Sequence, residues 1–452
     1  MSETAKLTRG SIRGHLVTQT TPMIIGVAAI MSIGLVDAYF IGQLGSTQLA
    51  AIAFIFPISV ALTSMGVGVM VGINSVVARA LGEGDSAKAA RRANLGIVFA
   101  IALGIVMGLT LFALLDPLFG LMNADEQTRP FIRAYMQPFA LGFPLLMTIM
   151  GFNGVLRGQG EARKTSYISI CYAAANWILD PILITGAFGF EGFGIAGAAY
   201  ATLAGWAIAI ILGLWLIRST ALPFKPMLIR QSAVIEPLVA ILRVAGPASF
   251  SNSINPIGLS VLTALVAVEG QAAVAGFGAA GRLQSFALVP LLALSGSIGA
   301  IVGQNWGAGL PERARRAVAF AGGFCLLYGL AVAVLLFAFG ERFAGLFSDD
   351  PAVIDQFAAY LAIAVWGYAG FGLLITGNGV LNAVDRAPLA LLQSAARVFL
   401  VMMPFAWLLR GSWGADAIYA AELVANLAGG ALAALIVWRV LRKKQLPDLT
   451  DR

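Results

Sequence analysis

The sequence predicts an all-α membrane protein with 12 transmembrane helices in two pseudosymmetric six-helix bundles around a central cleft. Three observations predict this fold. Of the 452 residues 59% are hydrophobic and 11% charged, apolar runs of membrane-spanning length recur along the chain, and the second half repeats features of the first. Soluble globular chains carry roughly 25% charged residues. The composition therefore argues against cytosolic enzymes, nucleic-acid-binding proteins and disulfide-built secreted domains.

The apolar runs divide into twelve predicted spans joined by short loops. A hydrocarbon core of about 30 Å needs about 20 apolar residues per helix, so twelve helices leave no room for a separate soluble domain. The predicted spans are 22–43, 52–78, 94–115, 131–155, 166–186, 194–217, 244–267, 273–302, 317–339, 357–381, 388–409 and 415–438.

The basic residues orient these spans. With the N-terminus in the cytoplasm, Lys and Arg concentrate in the cytoplasmic loops, and four fall on the opposite side: Arg129, Arg133, Arg342 and Arg410. This asymmetry is the positive-inside rule, so both termini are predicted to be cytoplasmic. The net charge of +7 then follows from the topology, and no nucleic-acid partner is expected. Residues 1–20 lack the apolar segment of a cleavable secretory signal.

A shift of 225 residues brings the second half of the chain into register with the first. The matches are Pro22 with Pro247, Gly45 with Gly270, Gly82 with Gly307, Gly84 with Gly309, and Asn153-Gly-Val-Leu with Asn378-Gly-Val-Leu. Because each half holds six spans, the halves are parallel repeats, and a solute site is expected in the cleft between them. We predict an N-terminal lobe over 1–217, a basic cytoplasmic linker over 218–243 and a C-terminal lobe over 244–452.

Two carboxylates are predicted at the same depth of the N-terminal lobe. Charged residues within spans are costly and are functional candidates by default. At about 1.5 Å per helical residue, Asp37 of the first span and Asp180 of the fifth reach a similar level. The shifted copy has Leu262 opposite Asp37 and an apolar stretch around Met403 opposite Asp180. This asymmetry predicts coupling chemistry in the first lobe, and the alternative is that both carboxylates only fix helix packing.

Polar neighbours extend this predicted cluster. Tyr172, Asn176 and Asp180 are spaced i, i+4 and i+8, so they share one face of the fifth span. Pro181 deprives the carbonyl four residues earlier of its helical donor, which predicts a kink and a spare ligand oxygen. Thr202 of the sixth span is placed level with them.

The remaining polar residues of the spans are weaker candidates. Glu422, with Asn426 four residues later, lies at similar depth in the last span, and Arg282 is interpreted as structural because a long Arg can reach the headgroups. Residues considered for a substrate cavity are Asn153, Tyr172, Asn252, Asn255 and Glu422. Pro22 and Pro181 are hinge candidates, since proline can bend a membrane helix.

The sequence offers no catalytic or cofactor-binding constellation. It contains a single histidine, His15, and two cysteines, Cys171 and Cys325, that lie in apolar runs without metal-ligand spacing. The segment Gly82-Glu-Gly-Asp85 lacks the Gly-Lys-Ser/Thr ending of a P-loop, so ATP-driven pumping has no support. We expect neither enzymatic activity nor a cofactor.

These features resemble the multidrug and toxic compound extrusion (MATE) family of secondary transporters. The likeness covers about residues 15–440. It rests on the two bundles, the glycine-bearing loops Gly82-Glu-Gly-Asp85 and Gly303-Gln-Asn-Trp-Gly-Ala-Gly309, and Asp37 followed by Asn176-Trp-Ile-Leu-Asp180-Pro181. The last pattern is similar to the prokaryotic branch with a cation site in its N-terminal lobe. Another branch has acidic residues in the seventh and tenth helices, where this sequence has Asn255 and Phe371.

The resemblance implies the roles of particular residues. Cation coupling, with H⁺ or a Na⁺ site, falls to Asp37, Asn176, Asp180 and Thr202, and Tyr135 and Asn153 become cavity members. It also implies a multi-pass protein of the bacterial inner membrane. Its expected partners are drug-like small molecules and the lipid bilayer, and the chain is expected to be a monomer.

Together these residues predict an antiporter that exports organic, often cationic, amphipathic compounds in exchange for H⁺ or Na⁺ by alternating access. Desolvation and like charge oppose ionisation of neighbouring buried carboxyls, so a driving ion and a cationic compound compete for one acidic site. One alternative is a flippase for lipid-linked precursors or polysaccharides, which needs a deep cationic cleft although only Arg282 is predicted at depth. The others are a passive channel and an intramembrane enzyme.

Overall fold

The computed structural model describes residues 5–122, 124–187, 189–225 and 234–443, and within these ranges the chain forms helices and loops without strands. Eleven of the described helical segments are long and apolar enough to cross a membrane. A bent pair, Gln271–Ala287 with Val289–Gly307, supplies a twelfth crossing. The predicted all-α fold with twelve membrane helices is confirmed.

The first six crossings are made by six helices. They are α1 (Ile12–Leu44), α2 (Ser46–Gly82), α3 (Ser86–Leu121), α4 (Arg129–Gly158), α5 (Ala162–Asp180) and α6 (Ile195–Arg218). α5 continues directly into a π-helical turn, Pro181–Thr185. Several helices extend beyond the predicted spans, because polar residues continue the helix past the hydrocarbon core.

The second six crossings are divided into more segments. They are α7 (Ile235–Val266), α8 (Gln271–Ala287), α9 (Val289–Gly307), α10 (Pro311–Ala344), α11 (Pro351–Ala364), α12 (Tyr368–Ala383), α13 (Ala387–Ala395), α14 (Met403–Trp413) and α15 (Ala415–Lys443). A 3-10 turn joins α11 to α12, and a π-helical segment, Ala396–Met402, joins α13 to α14. α7 begins within the predicted linker 218–243, so the last part of that range is helical.

The eighth crossing, predicted as one span over 273–302, is bent by 44° between α8 and α9. Pro290 lies at the start of α9. In a regular helix the Pro290 ring would clash with the backbone carbonyl of Phe286, four residues earlier. Proline also has no backbone N–H to donate to that carbonyl. Leu288 therefore becomes the corner of the crossing.

The loop Gly82-Glu-Gly-Asp85 is a helix-to-helix turn. The Asp85 carboxylate accepts a hydrogen bond from the Lys88 backbone N–H at 2.7 Å and caps the start of α3. Gly84 has φ of +83°, a conformation in which a side chain would be strained. The local chemistry of this motif is thus accounted for by chain reversal.

The backbone repeats as well as the sequence. Gly45 and Gly270 have φ of 135° and 117°, and Gly194 and Gly414 have φ of 58° and 56°. Each pair lies just before a membrane helix, at a left-handed backbone position that favours glycine. The two halves therefore share turn geometry at corresponding places.

Each half has its own hydrophobic core. One core is built from residues between Ile41 and Ala245, and the other from residues between Ile254 and Leu441 together with Leu7, Ile12 and Leu16. The start of α1 thus packs on the second half, and the start of α7 packs on the first. This exchange joins the halves at the face of the bundle that carries the chain ends, here named the termini face.

Two helix ends cross at the termini face in a reciprocal contact. A Cβ on Gly82 would lie 2.2 Å from the Gln304 backbone oxygen, and a Cβ on Gly307 would lie 2.3 Å from the Arg79 backbone oxygen. Residues 79 and 304, like 82 and 307, are separated by the 225-residue repeat. The local twofold symmetry of the fold therefore passes through this contact between α2 and α9.

Hydrogen bonds between the halves lie in the same region. The Leu7 backbone N–H donates to Gln304 Oε1 at 3.1 Å, and the Ser75 hydroxyl donates to the Asn382 backbone oxygen at 2.6 Å. The hydroxyls of Thr20 and Ser297 pair at 2.7 Å. Further from this face, a space of about 620 Å³ separates α2 from α7 around Pro57 and Pro256.

Replacing Gly82 or Gly307 with alanine is expected to strain the termini face, because the added methyl would overlap a backbone oxygen that cannot rotate away. Overpacking typically costs about 1–3 kcal/mol, so the apparent unfolding temperature of the detergent-solubilised protein should fall. Gly120→Ala is the matched control, since no atom lies within 4 Å of its Cβ position. Equal unfolding temperatures for all three variants would contradict the assigned contact.

Candidate functional site

The carboxyl groups of Asp37 on α1 and Asp180 at the end of α5 lie against each other. Asp180 is 0% exposed. Asp37 Oδ1 and both carboxyl oxygens of Asp180 are buried, and no N–H or hydroxyl donor of the described residues reaches them. No described Lys or Arg interacts with either carboxyl group. The pair is therefore a buried acidic site without a protein cation to neutralise it.

Amide and hydroxyl groups are linked to this carboxyl pair through Tyr172, which interacts with Asp37, Asp180 and Thr202. Asn176, which is also 0% exposed, donates from Nδ2 to the Tyr172 backbone oxygen at 2.9 Å. Thr202 Oγ1 donates to Asn176 Oδ1 at 3.4 Å. The predicted cluster of Asp37, Asn176, Asp180 and Thr202 is thus brought together within the first lobe.

Aromatic side chains form one wall of the cluster. Tyr135 and Tyr172 both interact electrostatically with Asp37 and Asp180. Tyr135 stacks on Phe139 with ring centroids 6.0 Å apart, and Phe139 and Tyr172 both pack on Trp206 at 5.6 and 6.4 Å. The acidic pair therefore has an apolar, aromatic surface beside it.

The close packing of α5 and α6 explains the position of these groups. A Cβ on Gly205 would lie 2.5 Å from Asn176 Nδ2, and one on Gly197 would lie 1.9 Å from the Leu183 backbone oxygen. Only glycine at these two places lets α6 approach the amide and the π-helical turn that follows Asp180. Pro181 begins that turn, and its ring removes the regular helical hydrogen bond there.

Carboxylate, amide and hydroxyl oxygens at one buried place suit a proton or a small hard cation such as Na⁺. No group of three or more His, Cys, Asp or Glu side chains that could hold a metal ion occurs in the described ranges. The two carboxyls are therefore groups that can accept a proton or a small cation.

The second lobe contains a different buried cluster around Glu422, which is 2% exposed. Its carboxylate accepts hydrogen bonds from Gln284 Nε2 at 2.6 Å and from the Tyr360 hydroxyl at 2.8 Å. Both carboxylate oxygens are thus bonded, in contrast to those of Asp180.

Arg397 supplies the positive charge of this second cluster. It is 3% exposed and donates to Asn255 Oδ1 at 2.8 Å and to Asn426 Oδ1 at 2.9 Å. Its guanidinium also lies 5.1 Å from the ring centre of Phe371 and interacts electrostatically with Glu422. Asn255, predicted to face the cleft, is therefore a hydrogen-bond acceptor for a buried cation.

The second half has no acidic counterpart of Asp37 or Asp180, but it carries polar residues at or near other repeat-related places. Tyr360 lies 225 residues after Tyr135, and Glu422 lies 220 residues after Thr202. The expectation that Arg282 is the arginine at membrane depth is wrong: Arg282 is exposed, Arg397 is buried and Arg157 is partly buried. Hydropathy could not identify Gln284 and Tyr360, because it does not show which helix faces meet. Arg397 could have been identified from the sequence, because it is a charged residue within the predicted span 388–409.

The other predicted residues lie apart from the acidic pair. Asn153 is buried in α4 with Oδ1 unpartnered, 18 residues and so about 27 Å along the helix from Tyr135. Asn252 donates to the Ala248 backbone oxygen at 2.8 Å and lines a cavity between the halves. Pro22 lies inside α1.

Comparisons with known proteins agree with this architecture. The MatE family model matches residues 22–182 and again 247–408, one match in each half. The chain is 34% identical over 435 residues to a FAD transporter of Shewanella oneidensis, covering 94% of each protein. It is 26% identical to the multidrug resistance protein PmpM of Pseudomonas aeruginosa, with 88% of this chain and 81% of that protein covered.

Solved structures show the same fold. A crystal structure of the MATE transporter VcmN of Vibrio cholerae superimposes with a TM-score of 0.91 at 29% identity, covering 97% of this chain and 98% of that one. The fold, the double family match and the relatives agree, and the chain belongs to the MATE family of membrane transporters.

Proposed function

We propose that this transporter is an antiporter that exports organic compounds in exchange for H⁺ or Na⁺, with Asp37, Asp180, Asn176 and Thr202 as the coupling site. The observation that carries the proposal is the pair of adjoining buried carboxyls without a protein cation. Two negative charges at membrane depth are costly. A bound proton or Na⁺ removes that cost, so occupancy of the site is tied to the driving ion.

Exchange follows from competition at this site. When the driving ion occupies the carboxyl pair, the site no longer attracts a cationic or hydrogen-bonding compound. When the ion leaves, the site can bind that compound. The aromatic wall of Tyr135, Phe139, Tyr172 and Trp206 gives an amphipathic compound apolar contact beside the charge. The driving ion and the exported compound would thus bind to the same few groups.

Alternating access requires that one face of the protein closes while the other opens. We place both termini in the cytoplasm of a bacterium, following the distribution of Lys and Arg. In that proposed orientation the contact of α2 and α9 at Gly82 and Gly307 would lie at the cytoplasmic face, which supports assigning this structure to an outward-facing state. Pro22 in α1 and Pro181 after α5 are the proposed hinges, because the helices that carry Asp37 and Asp180 are interrupted or weakened there.

A second candidate function concerns the cargo and not the coupling. The relative that is 34% identical is named as a FAD transporter, while PmpM is named as a multidrug resistance protein. FAD carries a pyrophosphate, and the buried Arg397 and the partly buried Arg157 supply positive charge that the sequence had appeared to lack. An anionic, phosphate-bearing cargo is therefore a candidate beside cationic drug-like compounds.

Replacing Asp37 or Asp180 with asparagine is expected to abolish coupled efflux, because the amide keeps the shape but cannot bind a proton or neutralise Na⁺. Dye efflux from proteoliposomes under an imposed ion gradient should fall by more than about tenfold, the scale of typical coupling free energies. Asp355→Asn, at an exposed position of α11, is the matched control and should transport normally. Full gradient-dependent efflux by both site variants would exclude the assignment.

Separate gradients identify the driving ion. The rate of dye efflux should increase with a pH gradient alone or with a sodium gradient alone. In Asp37→Asn the gradient that is effective in the wild-type protein should no longer increase that rate. The measurement is initial efflux rate with each gradient imposed singly and with an ionophore that collapses it. Equal rates with and without any gradient would indicate a passive channel.

Glu422→Gln is expected to spare coupling while weakening the fold. Glu422 has its hydrogen bonds satisfied within the second lobe and compensates Arg397, so its loss leaves a buried cation less well balanced. The cost of an impaired buried polar network is about 1–3 kcal/mol, measured as a lower unfolding temperature. Loss of gradient-driven efflux at unchanged stability would instead assign coupling to the second lobe.

A further inference from the structure

A cavity of about 190 Å³ lies between the two halves, next to their contact at the termini face. It is enclosed by α2, α4, α7, α9 and α12, so both lobes contribute to its wall. At about 30 Å³ per water molecule, its volume corresponds to about six waters, which is enough for one small charged group.

Arg157 near the end of α4 faces this cavity without a charged partner. Its Nε is buried and has no hydrogen-bond partner among the described residues. No charged side chain of the described ranges interacts with it electrostatically. Glycine at 296 on α9 provides space for the guanidinium, because a Cβ there would lie 3.1 Å from Arg157 Nη1.

Two amides accompany the guanidinium in the cavity wall. Asn74 on α2 and Asn382 on α12 are both buried, and the Oδ1 atom of each has no hydrogen-bond partner. Asn74 Nδ2 points toward Gly299, where a Cβ would lie 3.1 Å away. Both side chains line the cavity, and neither Nδ2 atom has a hydrogen-bond partner among the described residues, so each can present N–H donors to a ligand.

The cavity lies where equivalent positions of the two lobes meet. Asn382 lies 225 residues after Arg157, so the two occupy equivalent positions of the two lobes and meet at one cavity. The first lobe has an arginine where the second has a neutral amide. The cavity on the local symmetry axis is thereby made positive.

We propose that this cavity is an anion-binding subsite in which Arg157, Asn74 and Asn382 bind the phosphate group of an organic cargo in transit between the two faces. The proposal deepens the proposed export function and rests on it for the direction of movement. A guanidinium that faces a cavity inside the bundle without a counter-charge is costly, and an anion supplies the missing partner.

The donor set selects the class of anion. A guanidinium binds carboxylate and phosphate through paired N–H donors. Here two amides from other helices, α2 and α12, add donors around the same space, so an anion with three or more oxygen atoms can use all of them at once. That favours a tetrahedral phosphate over a planar carboxylate, and a cation is excluded by the charge of Arg157.

Equilibrium dialysis of the purified full-length protein with riboflavin and flavin mononucleotide tests this proposal, because the two probes differ by one phosphate group. No ion gradient is present, so the result is independent of coupling. The wild-type protein should bind the mononucleotide at least tenfold more tightly than riboflavin, and inorganic phosphate should compete with the mononucleotide.

In Arg157→Gln the ratio of the riboflavin dissociation constant to that of the mononucleotide should fall to near one, while riboflavin binding stays as strong as in the wild-type protein. Arg157→Lys should retain part of it, since a lysine keeps the charge but loses the fork of donors. Arg282→Gln is the matched control, because it removes the same charge from an exposed position and should leave the preference unchanged. If Arg157→Gln does not fold, Asn382→Ala, which removes one donor from the other lobe, should lower the preference severalfold.

Three results would overturn the subsite. One is a wild-type protein that binds both flavins equally or does not bind the mononucleotide. Another is a folded Arg157→Gln variant that keeps the wild-type preference for the mononucleotide. If that variant does not fold, an Asn382→Ala variant that keeps the preference has the same meaning. The third is arginine-dependent binding of inorganic phosphate without preference for the phosphorylated flavin, which would mean a free-ion site and no cargo subsite. None of these results depends on whether Asp37 and Asp180 couple transport to an ion.

Discussion

The adjoining carboxyls of Asp37 and Asp180 impose the constraint on which the proposed mechanism depends. They lie side by side with no described cation near them, and in the proposed mechanism their negative charge is balanced by an ion that arrives from solution. The surrounding structure serves that requirement. Glycines 197 and 205 allow α6 to close on α5, and Asn176 and Thr202 add oxygen atoms without adding charge.

The second lobe satisfies the same electrostatic requirement internally. Glu422 has two hydrogen-bond donors and an arginine within electrostatic reach, so that lobe needs no external ion to bury its carboxylate. Tyr135 and Tyr360 occupy equivalent positions of the repeat, but the carboxylates of the two clusters do not. In the proposed mechanism, the first lobe therefore has a charge that exchanges its partner, and the second lobe has a charge that is balanced within the protein.

Hydropathy and helix rise were enough to predict the twelve crossings, the two bundles and the adjoining carboxyls of Asp37 and Asp180. They could not predict the bend at Leu288 or the π-helical segments, because these depend on how one proline or one close helix contact is accommodated. Arg157 was hidden for a related reason. It lies two residues after the predicted span 131–155, where an arginine is expected to reach the headgroups, and only the packing of Gly296 against it shows that it faces a cavity.

An anionic cargo would change the energetics of exchange in a definite direction. Across a membrane that is negative inside, each elementary charge contributes about 2.3 kcal/mol per 100 mV. Outward movement of a cationic drug works against this potential and must be offset by the ions that enter. Outward movement of a phosphate-bearing compound works with it, as does inward movement of H⁺ or Na⁺. A fixed positive charge at Arg157, between the lobes, would thus bind the cargo whose export the membrane potential already favours. In the proposed mechanism the Asp37 and Asp180 pair would link the release of that cargo to ion entry.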